Sequence, residues 1–155
     1  MNAPAHPLAR VVVVDNEPVN VLVLERLLSL AGYRDVCSTT DSTSVEALCE
    51  SFEPDIVLLD LHMPGLDGFQ VMEQLARRRD ADDLPILVLT ADISHKSKRA
   101  ALEGGAKDFV TKPFDHSEVL ARVANLLDTR FLQLELRRHN QRLEDEVRIR
   151  TADLA

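Results

Sequence analysis

The chain reads as an α/β protein with a parallel sheet covered on both faces. Short apolar runs recur in alternation with longer segments of helical spacing. Five βα units can be traced in order. The strand segments are almost wholly apolar, as strands buried on both faces are, and lack the polar alternation of a half-wet sheet. The length of 155 residues, 45% hydrophobic and 28% charged, suits one domain with a real core.

Strand one is expected at Arg10 to Val14. Helix one follows from Pro18, with Val19, Leu22, Val23, Leu27, Leu28 and Leu30 at helical spacing and Gly32 as its stop. Strand two spans Asp35 to Thr39. Asp41 or Ser42 caps helix two, which sets Val45, Leu48 and Phe52 on one face. Strand three spans Asp55 to Leu59. Helix three runs from near Asp67 to Arg78, with Phe69, Val71, Met72 and Leu75 inward. Arg77-Arg78-Arg79 reads as a solvated end placed at the negative pole of the helix dipole. Strand four is Pro85 to Leu89, helix four Ser94 to Glu103 before Gly104-Gly105, and strand five Asp108 to Val110. Helix five begins near Asp115 and carries Val119, Leu120, Val123, Leu126 and Leu127.

From Thr129 to Ala155 there is no Gly or Pro, and Arg, Glu and Leu are dense. Helix five can run straight on. One heptad frame sets Leu136, Leu143 and Arg150 at d and Asn140, Val147 and Leu154 at a, with Leu132 outside it. A coiled coil and a solvated helix are both open, and a buried Asn at an a position is a device for fixing dimer register. Residues 1–8 read as a loose, flexible tail without an apolar signal segment. The domain division expected is a tail at 1–8, a globular unit at 9–128 and a linker helix at 129–155.

Composition excludes several classes. A formal net charge of −8 argues against nucleic acid and anionic membrane surfaces as partners. Aromatic content of 4% without Trp removes the stacking platforms of single-strand binders. No stretch is long and apolar enough to span a bilayer. Cys37 and Cys49 sit in apolar contexts and read as free thiols of a reducing, cytoplasmic compartment. The five His residues show no metal-ligand spacing, and no G-x-G-x-x-G or G-x-x-x-x-G-K-[ST] follows a strand.

The chemistry gathers at the strand ends. Val11–Val14 leads into Asp15-Asn16-Glu17. Ile56–Leu59 leads into Asp60 and then Leu61-His62-Met63-Pro64-Gly65. Ile86–Leu89 delivers Thr90, and Phe109-Val110-Thr111 delivers Lys112. In an open parallel sheet the ligand crevice lies outside these carboxyl ends. Carboxylates, a hydroxyl and an ammonium should therefore meet in one pocket, a set that suits a divalent cation and a phosphoryl group. Taken singly, an Asp after a strand is usually a turn or cap, and Thr90 and Lys112 a strand-end residue and a solvated charge.

Asp15, Asp60, Met63-Pro64-Gly65-Leu66-Asp67-Gly68, Thr90-Ala91 and Lys112-Pro113-Phe114 together resemble the receiver domain of two-component response regulators, over about residues 9 to 127. The resemblance implies a flavodoxin-like doubly wound five-stranded parallel sheet, (βα)5, in strand order 2-1-3-4-5 with an extended C-terminal helix. It implies a signalling receiver and not an enzyme, beyond self-phosphoryl transfer and autodephosphorylation. Asp60 would accept the phosphoryl group of a phosphohistidine on a sensor histidine kinase or phosphotransfer protein. Lys112 and Thr90 would engage the phosphoryl oxygens. Mg²⁺ (or Mn²⁺) would be held by Asp15, Asn16, Asp60 and the backbone carbonyl of His62. Ala91, Asp92, Met63 and His62 would surround the phosphoryl group, and Lys112-Pro113 would be cis. Phe109 would be the aromatic switch that follows Thr90, or simply packed in the core. The family usually places two acids after strand one. Here the second is Asn16, which lowers the pocket's charge and should weaken metal binding. A degenerate pseudo-receiver serving as a dimerising module is the alternative. An Asp-nucleophile phosphohydrolase of the haloacid-dehalogenase type is less apt, because His62 stands where that class needs a second acid and there is no room for a cap domain.

The tail 140–154 looks like the linker helix that follows receivers joined to HD-GYP cyclic-di-GMP phosphodiesterase or other signalling output domains. The chain stops in mid-helix at Ala155, so a homodimer through this helix and a covalently linked output domain absent from this chain are expected.

Overall fold

The computed structural model describes residues 3–78, 84–92 and 94–153. Five strands, β1 (Arg10–Val14), β2 (Asp35–Thr39), β3 (Ile56–Asp60), β4 (Ile86–Thr90) and β5 (Asp108–Thr111), form one sheet in the order β2-β1-β3-β4-β5. Every pairing is parallel. The helices are α1 (Pro18–Ala31), α2 (Val45–Phe52), α3 (Gly68–Ala76), α4 (His95–Glu103) and α5 (His116–Asp153). This is the flavodoxin-like arrangement, with β3 central and its two neighbours β1 and β4 flanking Asp60.

Alternate residues of each strand feed two apolar layers. Val12, Val14, Val57, Leu59 and Val88 meet α2 and α3 residues on one side. Val11, Val13, Leu58, Leu87 and Leu89 meet Leu24, Leu28, Val119, Val123 and Leu127 on the other. The ends of β3 and β4 lie one residue further on than the apolar runs alone suggest, so Asp60 and Thr90 are strand residues that keep ladder partners, Leu89 and Thr111. α3 stops at Ala76, short of Arg78; Arg79 lies outside the described residues.

Three sequence expectations change. The apolar spacing of α1 marks two stripes. Val21, Leu24 and Leu28 are buried, whereas Val19, Leu22 and Leu30 face outward. Asp41 caps a 3₁₀ turn (Ser42–Ser44) that precedes α2, accepting from the Thr43 amide at 3.0 Å, and Ser42 is free for another task. Within the segment expected as a loose tail, His6 and Pro7 lie on the body: Arg34 N donates to the Pro7 carbonyl, and the His6 ring stacks on Phe131 at 4.4 Å while bonding Asp128.

α5 is one unbroken helix of 38 residues. Packing does not stop at Leu127. Arg130 is buried, and Phe131 and Leu134 are half-buried, so the globular unit extends past residue 128. From Glu135 to Thr151 the residues are exposed, Leu136, Leu143 and Val147 among them. Leu154, the last a position of the heptad frame, lies outside the described residues. Cys37 and Cys49 are both free thiols.

Candidate phosphoacceptor site

The site is the rim where β1, β3, β4 and β5 end. Asp15, Asp60 and Thr90 are all buried there, at 0%, 4% and 1% exposure. Lys112 follows β5 and reaches back across the sheet edge. Its Nζ stands 2.8 Å from Asp15 Oδ2 and 3.3 Å from Asp60 Oδ1. The Lys112 amide donates to the Thr90 carbonyl at 2.8 Å, and the Lys112-Pro113 peptide is cis.

The remaining carboxylate oxygens are also engaged. Asp15 Oδ1 accepts from the Glu17 amide at 2.9 Å, and Asp15 Oδ2 accepts from the Asn20 carboxamide at 3.2 Å. Asp60 Oδ1 accepts from the His62 amide at 3.3 Å. The Asn16 carboxamide, turned so that its nitrogen faces the acceptors around it, donates to Asp60 Oδ2 at 3.0 Å and to the His62 carbonyl at 3.3 Å. Burial, with the Asp15 carboxylate nearby, raises the Asp60 pKa above its usual range, while Lys112 pulls the other way.

The loop carrying the acid is pinned from below. The Leu66 amide donates to Ser42 Oγ at 3.1 Å, and that hydroxyl donates to the Pro64 carbonyl. Gly68 packs so closely that a Cβ would stand 2.7 Å from the Asp60 carbonyl oxygen and from Leu61 Cα. Asp67 and Gln70 complete a capping box at the start of α3.

Thr90 Oγ1 accepts from the Asp92 amide at 3.0 Å. The Asp92 carboxylate in turn accepts from the Ser94 amide and, at 2.5 Å, from Ser97 Oγ, which lower its pKa to about 2. Phe109 lies half-buried at the sheet edge with Lys98 Nζ 4.8 Å over its ring.

Asp15, Asn16, Asp60, His62, Thr90 and Lys112 are thus brought together. Ala91, Asp92 and His62 stand on the rim, whereas the Met63 side chain is buried in a core layer. Asn20 and Ser42 escape a reading by strand ends. A lone Asn in the first turn of an apolar helix, five residues after Asp15, is the signal that could have flagged the first. Among the described residues no three His, Cys, Asp or Glu side chains converge as a metal cluster. The two carboxylates, the His62 carbonyl and the Asn16 amide oxygen nevertheless form an all-oxygen donor set. Turned oxygen-inward, the Asn16 carboxamide would join Asp60 Oδ2 and the His62 carbonyl, 3.0 and 3.3 Å away, so this set fits a hard divalent cation.

Comparison with known proteins agrees with this geometry. Residues 11–124 match the model of the response regulator receiver domain. The chain is 38% identical over 120 residues to the DNA-binding dual master transcriptional regulator RpaA of Synechocystis, covering 77% of this chain and 49% of the relative, so it spans about half of that protein's length. The receiver domain of sensor histidine kinase PA1611 from Pseudomonas aeruginosa, solved with magnesium in its active-site cleft, superposes with a TM-score of 0.72 at 26% identity, covering 78% of this chain and 98% of that one. The signal receiver domain of an HD domain-containing protein from Pseudomonas fluorescens gives 0.73 at 26% identity, covering 80% and 98%.

Proposed function

This chain belongs to the response regulator receiver domain family of two-component signalling, and from that premise we propose that it takes a phosphoryl group onto Asp60 from a histidine kinase or phosphotransfer protein. One observation carries the reading: Asp60 ends the central strand, buried, with an oxygen 3.3 Å from the Lys112 ammonium that also holds Asp15. Asp60 attacks the phosphorus of a phosphohistidine, the P–N bond breaks, and the electron pair leaves with the imidazole nitrogen. Lys112 meets the negative charge that arrives with the phosphoryl oxygens, and the Thr90 hydroxyl donates to one of them. Asp15, Asn16, Asp60 and the His62 carbonyl would hold Mg²⁺ (or Mn²⁺), which supplies charge neutralisation between carboxylates and phosphoryl oxygens. Ala91, exposed at the mouth, leaves room for the incoming group.

The state of Asp60 would pass through Thr90 and Phe109 to the face of α4, β5 and α5, and along α5 to an output domain outside this chain. The exposed Leu136, Leu143 and Val147, with Asn140 in the same frame, suit a parallel homodimer of the tails. The resemblance of this tail to the linker before HD-GYP phosphodiesterase domains, and the receiver of an HD domain-containing protein among its structural relatives, make such an output domain the favoured one. Among the described residues no helix is long and apolar enough to cross a membrane. A cytoplasmic place is proposed, where histidine kinases present their phosphohistidine.

Incubation with acetyl phosphate and Mg²⁺, read by intact mass, tests the assignment. The native chain gains one phosphoryl group, Asp60→Ala gains none, and Lys112→Ala gains it far more slowly. Persistent labelling of Asp60→Ala overturns the reading. A native chain that stays unlabelled while its tails dimerise would support instead a pseudo-receiver, the reading that the Asn16–Asp60 bond favours.

A further inference from the structure

All four carboxylate oxygens of Asp15 and Asp60 have a donor from the chain itself. Asp15 takes the Glu17 amide on one oxygen, and the Asn20 carboxamide and Lys112 on the other. Asp60 takes the His62 amide and Lys112 on one oxygen and the Asn16 carboxamide on the other. A pocket that depends on a dication leaves carboxylate lone pairs aimed at an empty point and carries the repulsion of its like charges until the ion arrives. Here the Asn16 nitrogen stands beside that point and ties Asp60 Oδ2 to the His62 carbonyl, at 3.0 and 3.3 Å. The two carboxylates face one ammonium, so the local excess is a single negative charge, spread over neutral amide donors.

We infer that the Asn16 carboxamide is a resident stand-in for the cation: its NH₂ group bridges Asp60 and the His62 carbonyl and holds both in place before any metal binds. Asn20 does the companion work on Asp15. An Asn is apt for this because it carries donors and an acceptor on one planar group. The nitrogen face serves the metal-free protein, and the oxygen face is the one a cation would require. A bound ion must therefore break two hydrogen bonds that an Asp at this position would never have made. Two consequences follow: the folded protein draws little stability from the metal, and the metal is held weakly. The inference rests on the receiver reading only in taking the point beside Asn16 for a cation site.

The test is thermal unfolding of the native chain, Asn16→Asp and Asn16→Ala, each in EDTA and across a Mg²⁺ titration. In parallel, side-chain amide exchange of Asn16 is followed by NMR on the native protein, assigned by its loss in Asn16→Ala. In EDTA both variants should melt below the native chain, Asn16→Asp by about 5 °C or more, since it loses the donor and adds a like charge. Mg²⁺ should raise the melting temperature of Asn16→Asp more steeply than that of the native chain, reflecting binding tighter by about tenfold or more. The Asn16 NH₂ protons should exchange slowly in EDTA. Equal melting temperatures in EDTA, or Asn16 protons that exchange as freely as those of the exposed tail residue Asn140, overturn the inference. If the EDTA results hold and no chain responds to Mg²⁺, the stand-in is upheld and it is the metal-assisted reading of the site that falls.

Discussion

Ending the chain at Asp128 instead of Leu134 should cost the globular unit about 3 kcal/mol, although only six residues of helix separate the two ends. Arg130 Nε lies 3.0 Å from Asp55 Oδ1, with side-chain exposures of 10% and 17%. Asp55 Oδ2 accepts from the Arg10 amide at 2.8 Å, so this carboxylate ties the start of β1 and β3 to the root of the tail. Removing one member of a fully buried pair costs about 3–5 kcal/mol, and partial exposure brings this to about 2 kcal/mol. Phe131, half-buried and stacked on His6, adds about 1 kcal/mol. A chain ending at Leu134 keeps both. Urea unfolding followed by circular dichroism should place the midpoint of the 1–128 chain about 1–2 M below that of the 1–134 chain, given a slope of about 2 kcal/mol per M. Coincident midpoints would refute the view that the receiver body reaches past Leu127. The 1–134 chain is then the proper control for the tail. In sedimentation the full chain should dimerise and the 1–134 chain should not. A 1–134 chain that dimerises as strongly removes the coiled coil from the account.

Gly68→Ala forces a methyl group against the Asp60 carbonyl and Leu61 Cα, backbone atoms that cannot swing away. It should destabilise the fold by about 1–3 kcal/mol and slow acetyl-phosphate labelling of Asp60; unchanged unfolding and labelling would show that the loop yields freely. Asp92 is an acid whose pKa is depressed, so its hold on Ser94 and Ser97 at the start of α4 is in place above 3.8 and is lost as pH falls through about 2. Ser97→Ala removes its leading hydrogen bond, and Asp92 should then titrate closer to 3.8 by carboxyl NMR; an unmoved titration would mean that the serine hydroxyl does not hold it.

The fold was legible because β1, β3 and β4 are dense apolar runs and three of the helices have their own punctuation: Pro18 and Gly32 for α1, Asp67 for α3, Ser94 for α4. The strand-end residues of the site were legible for the same reason, since a parallel sheet carries whatever follows its strands to one edge. What stayed hidden depends on how a helix face is turned or on contacts far apart in sequence. Asn20 sits on a helix face that only packing turns toward Asp15, and Ser42 meets the Pro64–Leu66 loop across 22 to 24 residues. The direction of α1 was ambiguous because its apolar residues form two stripes, and spacing alone cannot say which one the sheet covers. The N-terminal contacts of His6 could not be foreseen from a short segment of Pro, Ala and His without periodicity.

The relay proposed for this chain has its joint at β5. Asp108 and Phe109 are consecutive, so their side chains leave opposite faces of the sheet. Asp108 is bound by Arg122 of α5 at 2.7 Å, and Phe109 lies under Lys98 of α4. The first turn of α4 is also where Asp92 is fastened through Ser94 and Ser97, and the Asp92 amide holds Thr90 Oγ1. A Thr90 hydroxyl drawn toward a phosphoryl group on Asp60 therefore pulls on the anchor of the helix that carries Lys98. If Phe109 shifts in response, the displacement of β5 reaches Asp108 and, through Arg122, α5. From there the helix is continuous to Asp153, but its root is clamped at Arg130 by Asp55 at the opposite end of β3. With one end pulled through Arg122 and the other fixed eight residues later, α5 is constrained to rotate or bend between the two points rather than slide. Such a motion alters which residues of a paired tail meet without separating the pair, and its size is bounded by the difference in phosphoryl binding between the two arrangements.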